Sequence, residues 1–491
     1  MAVKKIEHLS LEERRARGKQ ARVRAPLPAH GGWAPAADRP DPVKLLEDQD
    51  TTREPDLVPV RHGRMMVSPF TFYRGSAKIM AADLAGTPRA GLDVQLCGDA
   101  HLSNFGLFAS PGRVLLFDVN DFDETLPGPF EYDVKRLVAS FTIAARHNGF
   151  AKADVRAVTK AAVAAYREAI ASFAGMRTLD IWYARLAEDE LLTATRQAAR
   201  QVEKERAARQ AARGKKTAKD PLETRKLEKR AVKTAQKART RDSLQALSKL
   251  GEMAGGRYRI VSMPPVVVPF RDLTTMYGIP PDQLQEMIHH QFREYRASLQ
   301  ADRRQLLERF EIVDMARKVV GVGSVGTRAF IALLQGRDEG DPLFLQIKEA
   351  TASVLEDHLP RSRYRQPGER VVQGQRLMQA SSDIFLGWSK GEEANRWFYW
   401  RQLRDMKGSV PVETMVPESM TFYAGICGWT LARAHARSGD AAAIAAYLGT
   451  SDKFDQAITS FSERYAGQNE RDYQAFSDAV HTGRITALEG V

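Results

Sequence analysis

The pattern of apolar and polar positions predicts a mainly helical front part with a few short strands. Between residues 133 and 250, apolar side chains recur at helical spacing, for example at Leu137 and Phe141, which is typical of helices packed on one face. Short apolar runs at 94–96 and 114–117 have the length of strands.

The pattern changes near residue 311, where apolar runs of strand length dominate. Two of these runs flank a glycine-rich stretch at 321–326, and a third ends at Lys348. A helix and then a hairpin of two strands are predicted between residues 370 and 403. After about residue 409 the pattern is helical again.

These changes divide the chain into four predicted parts. They are a polar, proline-rich leader (1–60), a helical part (61–310), a β-rich part (311–408) and C-terminal helices (409–491). We expect the two helical parts to form one large lobe and the β-rich part to form a small lobe. We expect the leader to be loosely packed, because it is polar and interrupted by prolines.

The composition is that of a folded protein of the cytoplasm. With 43% hydrophobic residues among 491, the chain can bury a core, which excludes global disorder. Its two cysteines, Cys97 and Cys427, are too few for a disulfide framework and favour a reducing compartment. No apolar run is long enough to cross a membrane, and we expect no signal peptide.

The positive charge is concentrated in one stretch. Residues 200–241 hold sixteen Lys or Arg and five Asp or Glu, so they carry +11 of the formal net charge of +12. We interpret this stretch as an exposed basic helical arm, with docking to an anionic partner such as RNA or a phosphorylated substrate as the alternative. It has no aromatic residues that could stack on bases, which disfavours nucleic acid.

An aspartate and an asparagine five residues apart form the first chemical motif. In CGDAHLSN (97–104), Asp99 and Asn104 flank His101. In kinase-type loops the aspartate orients and deprotonates the accepting hydroxyl, and the asparagine holds Mg²⁺. Asp99, His101 and Asn104 are therefore the candidate catalytic residues.

A second acidic segment follows the next predicted strand. FDVNDFDE (117–124) places Asp118 and Asp121 where a carboxylate could hold Mg²⁺ together with phosphate oxygens. The distance from Asn104 favours Asp118, whereas the local Asp-Phe-Asp spelling favours Asp121, so both stay candidate metal ligands. The segment lacks the frame of an EF-hand calcium loop.

The stretch GVGSVG (321–326) has the spacing of a phosphate-binding loop. A dinucleotide-binding fingerprint would open a helix, but the residues after Gly326 have the pattern of a strand. Glycines at a hairpin tip let backbone amides approach phosphate oxygens. Gly321, Gly323, Ser324 and Gly326 are therefore assigned to a nucleotide, and an ordinary glycine-rich turn is the alternative.

Lys348 ends an apolar strand, where an ammonium group without an anion would be costly to bury. A phosphate is a natural partner, and a lysine that extends to water is the alternative. The sequence leaves its acidic partner on the protein open: Glu356 and Glu369 are candidates, and Gln373 lies where the predicted helix would supply one.

Two further residues receive structural roles. Asp133, in YDVKRL, is predicted to cap a helix and to brace the catalytic loop. His435 is predicted to be a packed helix residue rather than a ligand.

The chain as a whole resembles a bacterial family, DUF2252. The segments that carry this resemblance are CGDAHLSNFG, FDVNDFDET, YDVKRL, GVGSVGTR, LQIKEA, QRLMQASSDIFLGW and RQLRDMKGS. More distantly, the loop of Asp99, His101 and Asn104 is similar to the catalytic loop of aminoglycoside and choline kinase-like enzymes. Cys97 departs from that pattern, because those enzymes usually have a histidine there.

The kinase resemblance implies a rearranged chain order. In kinases the glycine-rich loop and the lysine precede the Asp/Asn loop, whereas here they follow it. LARAHA (431–436) is similar to the helix that precedes the catalytic loop in those enzymes. The resemblance thus implies an α+β, two-lobed protein kinase-like fold with circularly permuted order and a basic helical insertion, and places Gln402 and Leu403 near the adenine hinge.

The implied activity is transfer of a phosphoryl group from ATP, with Mg²⁺, to an unidentified small-molecule or protein hydroxyl. Nucleotidyl (AMP) transfer at the same site is one alternative. The other is a non-catalytic ATP-binding scaffold whose basic arm docks on a polyanion, and the presence of Asp99, Asn104 and Lys348 disfavours it.

Overall fold

A computed structural model describes residues 8–197, 200, 232–277, 280–391, 395–403 and 405–490. They form a mixed α+β structure in which helices predominate and strands form small sheets, which confirms the predicted class. Most of the predicted basic arm, residues 201–231, lies outside the described residues. In the part that the structure describes, no helix has the length and apolar character needed to cross a membrane.

Helices form most of the front part and the C-terminal end. The α-helices before residue 200 are Leu11–Arg24, Pro42–Asp50, Val58–Met66, Pro69–Gly75, Ala77–Ala85, Phe130–His147, Lys152–Phe173, Thr178–Tyr183 and residues 188–197. Those after it are residues 232–239, Ser243–Leu250, Phe270–Tyr277, Pro281–Ala297, Ala301–Leu307, Pro367–Met378, Pro417–Ser438, Ala441–Leu448 and Lys453–His481. Short 3₁₀ helices are Leu27–Gly31, Leu102–Asn104, Val354–Asp357 and Val412–Thr414.

The strands form one larger sheet and three two-stranded sheets. In chain order they are β1 Asp93–Leu96, β2 Phe105–Ala109, β3 Leu115–Val119, β4 Leu126–Pro129, β5 Gly251–Ala254, β6 Arg257–Ile260, β7 Val267–Pro269, β8 Glu311–Lys318, β9 Ala329–Gln335, β10 Pro342–Glu349, β11 Gly387–Lys390 and β12 Trp397–Gln402. The small sheets pair β1 with β4, β2 with β3, and β5 with β6.

The larger sheet is antiparallel, in the order β11-β12-β10-β9-β8-β7. The strands on either side of the glycine-rich stretch are β8 and β9, so the predicted strand–glycines–strand arrangement is confirmed. The helix Pro367–Met378 links β10 to β11, and β11 and β12 form the predicted hairpin. Strand β7 lies before residue 311, where the β-rich part was predicted to begin, yet pairs with β8.

Each face of this sheet is covered by a different helix, because successive strand residues point to opposite faces. On one face Trp400 stacks on Tyr295 of the helix Pro281–Ala297, with ring centroids 4.4 Å apart. On the other face Phe344 and Leu403 lie in one apolar cluster with Leu247 of the helix Ser243–Leu250.

The two short hairpins of the front part position the acidic motifs. Strand β1 leads into the Asp99 loop, and β2 and β3 form the hairpin that separates this loop from the second acidic segment. Strand β4 returns to pair with β1, with Leu96 opposite Leu126. The ends of β1 and β3 are therefore held close together.

The described part of the proline-rich leader, residues 8–60, packs against the rest of the protein through specific contacts, so the expectation of a loosely packed leader is wrong for these residues. The helix Leu11–Arg24 begins with a capping box between Ser10 and Glu13. A side chain at Gly18 would place a Cβ atom 2.0 Å from the carbonyl oxygen of Ala443, so only glycine permits this approach. Arg39 bridges Asp83 and Asp472, contacts that no local pattern of the leader indicates.

Candidate active site

Three stretches that are distant in sequence meet at a polar cavity of about 140 Å³. The front helices and their connections contribute Gln49, Thr52, Arg53, Arg74, Gly75 and Ala77. The loops after β1 and β3 contribute Asp99, His101, Asn104, Asp121, Asp123 and Glu124. The glycine-rich loop, the end of β10 and the segment after it contribute Gly321, Val322, Gly323, Ser324, Thr327, Glu349, Ala350, Thr351 and Val354.

The Asp99 loop is held in a fixed shape by its own hydrogen bonds. Arg136 donates from Nε to Oδ1 of Asp99 at 2.8 Å, which orients the carboxylate. The side chain of Asn104 donates from Nδ2 to the carbonyl oxygen of Asp99 at 2.7 Å. Because this bond uses the amide nitrogen, the amide oxygen of Asn104 is the atom suited to a metal ion.

His101 lies beside Asp99 as a neutral ring. Its Nε2 is 3.8 Å from Oδ2 of Asp99. Burial, with the positive charges of Arg74 and Arg136, lowers the pKa of His101 well below its usual value. His101 therefore does not supply a positive charge to the cavity near neutral pH.

Asp133 braces the start of the catalytic loop, as predicted, but it does not cap its helix. Its two carboxylate oxygens accept hydrogen bonds from the backbone N–H groups of Cys97 and Gly98, at 2.7 and 3.0 Å. The residue before the helix is Pro129, which makes no side-chain cap. His435 is fully buried and lies 3.2 Å from Asp133, consistent with the predicted packed position.

The second acidic segment pairs with Lys348, which is buried next to the cavity and is not one of its lining residues. Lys348 is buried and donates a hydrogen bond to Asp123, and its Nζ lies 3.8 Å from Oδ2 of Asp121. Tyr399 donates to the other oxygen of Asp123 at 2.6 Å. Lys348 therefore joins the larger sheet to the loop after β3.

The two aspartates differ in their protonation behaviour. Burial disfavours the charged form of Asp123, but the ammonium of Lys348 outweighs burial and lowers the pKa of Asp123 to about 2. Burial and the neighbouring charge of Asp123 raise the pKa of Asp121. A cation in the cavity would therefore favour the charged form of Asp121, whose side chain is 32% exposed.

The acidic partners of Lys348 are not the two candidates named from the sequence. Its carboxylate partners are Asp123 and Asp121, rather than Glu356 or Glu369. The helix Pro367–Met378 instead presents Arg370, which donates to the backbone carbonyl oxygens of Asp123, Thr125 and Thr351. The helix therefore fixes the acidic segment through its backbone.

The glycine-rich loop closes one side of the cavity and is tied to the front helices. Gly321 and Gly326 have φ of 68° and 87°, which favours glycine at both positions. The N–H of Glu54 donates to the carbonyl oxygen of Gly326 at 2.7 Å. Ser324 donates to Asp123 at 3.2 Å, so Ser324 reaches the acidic segment. Gly326 lies behind the cavity wall rather than in it.

Two arginines in the cavity wall were not singled out from the sequence. Arg53 and Arg74 each have a buried Nε without a hydrogen-bond partner among the described residues. Burial lowers the pKa of both side chains, that of Arg53 to about 9. An anion in the cavity would compensate this cost. The Arg74-Gly75 pair after an aromatic run was the only sequence signal.

Glu124 was also missed as a cavity residue. Its side chain accepts a hydrogen bond from the N–H of Val354 at 2.7 Å. Burial raises the pKa of Glu124 to about 7. Glu124 therefore adds less negative charge to the cavity near neutral pH than Asp123.

Asp118 lies outside the cavity, and of the two candidate metal aspartates only Asp121 faces it. Asp118 is fully buried in an ion pair with Arg433. It also accepts a hydrogen bond from the N–H of Ala380 at 2.8 Å. With its oxygens used in this way, Asp118 ties β3 to the C-terminal helices.

Gln402 and Leu403 also lie away from the cavity, at the opposite end of the sheet. The N–H of Gln402 donates to Asp383 at 2.6 Å, and the N–H of Leu403 donates to the carbonyl oxygen of Phe344 at 2.9 Å. These amides are therefore engaged within the protein.

The donor set of the cavity fits Mg²⁺ better than a metal held by many protein ligands. Among the described residues, no group of three or more His, Cys, Asp or Glu side chains is arranged to hold a metal ion. Mg²⁺ commonly uses one or two carboxylates, with phosphate oxygens and water as the other ligands. Asp121 and the amide oxygen of Asn104 offer such a set.

Comparison with known proteins gives one family. The family model described as "Uncharacterized protein conserved in bacteria (DUF2252)" matches residues 53–226 and 206–479. No match was found among curated proteins or among solved structures.

Proposed function

We propose that this chain, which belongs to the bacterial family DUF2252, is an ATP- and Mg²⁺-dependent phosphotransferase with a circularly permuted, two-lobed protein kinase-like fold. The acceptor is a hydroxyl group of a small molecule or a protein.

One observation carries the proposal: seven of the predicted phosphotransferase residues, from two distant stretches of the chain, line one cavity. Asp99, Asn104 and Asp121 come from the front part, whereas Gly321 and Gly323 come from a loop about two hundred residues later. Phosphoryl transfer needs a hydroxyl-orienting carboxylate, metal ligands and a phosphate-binding loop in one place. If the two motifs did not serve one site, there would be no reason for them to lie side by side in the fold.

The strand connectivity supports the small-lobe part of the proposal. The order β8, glycine-rich loop, β9, β10, helix, β11, β12 is the layout of a kinase small lobe, in which the third strand carries the phosphate-binding lysine. Lys348 is on β10, the third strand of this series. The departure is that Lys348 pairs with Asp123 and Asp121 of the loop after β3, whereas in kinases a glutamate of this helix is its partner.

The contact between the helix Pro417–Ser438 and β1 supports the permutation. The N–H of Gln95 donates to the hydroxyl of Ser438 at 3.0 Å, so the end of this helix lies beside the strand that enters the Asp99 loop. In a kinase of ordinary order, the corresponding helix precedes that loop along the chain. Here the two elements adjoin in space although more than three hundred residues separate them.

The proposed chemistry assigns each group a role. Asp99, oriented by Arg136, accepts the proton of the attacking hydroxyl. Arg53 and Arg74, which line the cavity, bind phosphate oxygens through their guanidinium groups. Asn104 and Asp121 would hold Mg²⁺, which neutralises charge on the phosphates when bound. Positioning and charge neutralisation together supply most of the rate enhancement.

The proposal is tested with ATP that carries an isotopic label on either its γ- or its α-phosphate. We expect the full chain, given ATP and Mg²⁺ with the small-molecule fraction of a bacterial extract, to transfer the γ-phosphate to a new compound. The same reaction with α-labelled ATP distinguishes nucleotidyl transfer, because only an AMP product retains that label. If neither label leaves ATP, the protein does not catalyse transfer and the scaffold alternative is favoured.

A further inference from the structure

The sheet face that presents Lys348 continues toward the predicted hinge. Side chains on β10 alternate, so Lys348, Gln346 and Phe344 lie on one face. Leu403, just after β12, joins Phe344 in one apolar cluster. If the phosphates of ATP lie by Lys348, its base extends along this face toward Leu403.

That end of the face is covered by a short helix of the same chain. Ala246, Leu247 and Leu250 of the helix Ser243–Leu250 are buried in the cluster that contains Phe344 and Leu403. The apolar surface on which a flat base would pack is therefore covered from within the protein.

The backbone beside this surface is also hydrogen-bonded, by Arg241, which lies two residues before the helix. The carbonyl oxygen of Arg241 accepts a hydrogen bond from the N–H of Met406 at 2.8 Å. Its guanidinium donates to the carbonyl oxygen of Lys407 at 2.9 Å. A purine with an amino group offers the same pair, one acceptor and one donor, to a backbone.

The part of this face between Lys348 and Leu403 is also occupied by a side chain of the protein. Arg401 donates to the carbonyl oxygen of Asn120 at 3.0 Å and to the side chain of Gln346 at 3.2 Å. The cavity lined by the Asp99 loop and the glycine-rich loop does not continue along this face, because Glu349 is its only lining residue on β10 and none lies on β12. In this state the cavity reaches the phosphate-binding residues but not the surface proposed for the base.

We propose that residues 241–250 form an internal plug that occupies the base site and holds the enzyme in a self-inhibited state. This inference rests on the proposed function, because it concerns the base of the same ATP. Binding of the purine requires the plug to leave, so the apparent affinity for ATP is reduced by the fraction of molecules that are plugged.

The plug has the features of a displaceable element. Its helix is only eight residues long, and helices this short are marginal without packing. Asp242 caps it by accepting a hydrogen bond from the N–H of Gln245 at 2.9 Å. Leu244, on the outer side of the helix, is 56% exposed, so the helix is covered on one side only.

The test uses the full chain and compares two ligands. Leu247→Asp places a charge in the apolar cluster, and Asp242→Ala removes the helix cap. Leu244→Asp is the matched control on the exposed side of the same helix. Binding of Mg²⁺-ATP and of Mg²⁺-tripolyphosphate, which has the phosphates but no base, is measured by titration calorimetry.

We expect Leu247→Asp and Asp242→Ala to bind Mg²⁺-ATP more tightly, by about tenfold for the first. Tripolyphosphate affinity is expected to stay unchanged in all variants, and Leu244→Asp is expected to match wild type with both ligands. Equal ATP affinity in wild type and both plug variants would overturn the plug while leaving the proposed function intact. If neither ligand binds any variant, both the plug and the proposed function fail.

Discussion

Replacing Asp99 with asparagine is expected to lower the rate of ATP hydrolysis by a factor of about 10² to 10⁴, the usual contribution of a general base. Water serves as the acceptor in this assay, so the natural acceptor need not be known. Asparagine retains an oxygen that can accept from Arg136, which now donates to Asp99, so the loop should keep its shape. The measurement is release of phosphate from Mg²⁺-ATP at saturating concentration.

Asp93→Asn is the matched control for this prediction. Asp93 begins β1, the strand that leads into the Asp99 loop, and its side chain is exposed. It should hydrolyse ATP at the wild-type rate. Undiminished hydrolysis by Asp99→Asn, with unchanged affinity for ATP, would show that Asp99 is not the base.

Replacing Asp118 with alanine is expected to destabilise the fold by about 3–5 kcal/mol, the usual cost of removing one partner from a buried ion pair. Asp118 and Arg433 are each about 1% exposed, so the arginine would stay buried without its carboxylate. The N–H of Ala380 would lose its acceptor too. Urea denaturation followed by circular dichroism measures this loss.

Asp121→Asn provides the contrast within the same segment. Asp121 is partly exposed, and Lys348 keeps its bond to Asp123 when Asp121 is neutral. We expect its free energy of unfolding without ligand to stay within about 1 kcal/mol of wild type. The opposite ranking, with Asp121→Asn strongly destabilised and Asp118→Ala near wild type, would reverse the roles given to the two aspartates.

Local patterns were sufficient to predict the strands around the glycine-rich loop. Apolar alternation and turn residues report directly on strands and hairpins, and β8, β9 and β10 follow the predicted runs closely. The Asp99 and Asp121 motifs could also be predicted, because the spacing of their residues within a loop is a property of the local sequence.

The contacts that decide roles at the site come from remote parts of the chain. Asp118 and Asp121 are three residues apart, but only Asp118 is bound by Arg433, which lies more than three hundred residues away in the chain. This ion pair buries Asp118, whereas Asp121 faces the cavity. Lys348 meets Asp123 across 225 positions. No periodicity in a single sequence contains such pairings, so the sequence left the partner of Lys348 open and neither named candidate pairs with it.

The packing of the leader and of the predicted hinge region also depends on contacts between remote parts of the chain. Tight packing of the leader depends on Gly18 facing Ala443, which a polar, proline-rich composition does not reveal. Gln402 and Leu403 were placed near a hinge from strand order alone. Whether a base can reach them depends on the helix Ser243–Leu250, which lies in a part of the chain with no motif of its own.

The most direct test of the account is thermal denaturation with and without saturating Mg²⁺-ATP, for wild type and Asp121→Asn. A ligand at about 100 times its dissociation constant stabilises the native state by roughly 2.7 kcal/mol. We expect Mg²⁺-ATP to raise the melting temperature of wild type, EDTA to reduce this rise, and Asp121→Asn largely to lose it. No rise in wild type at any nucleotide concentration would contradict the claim that this cavity binds ATP.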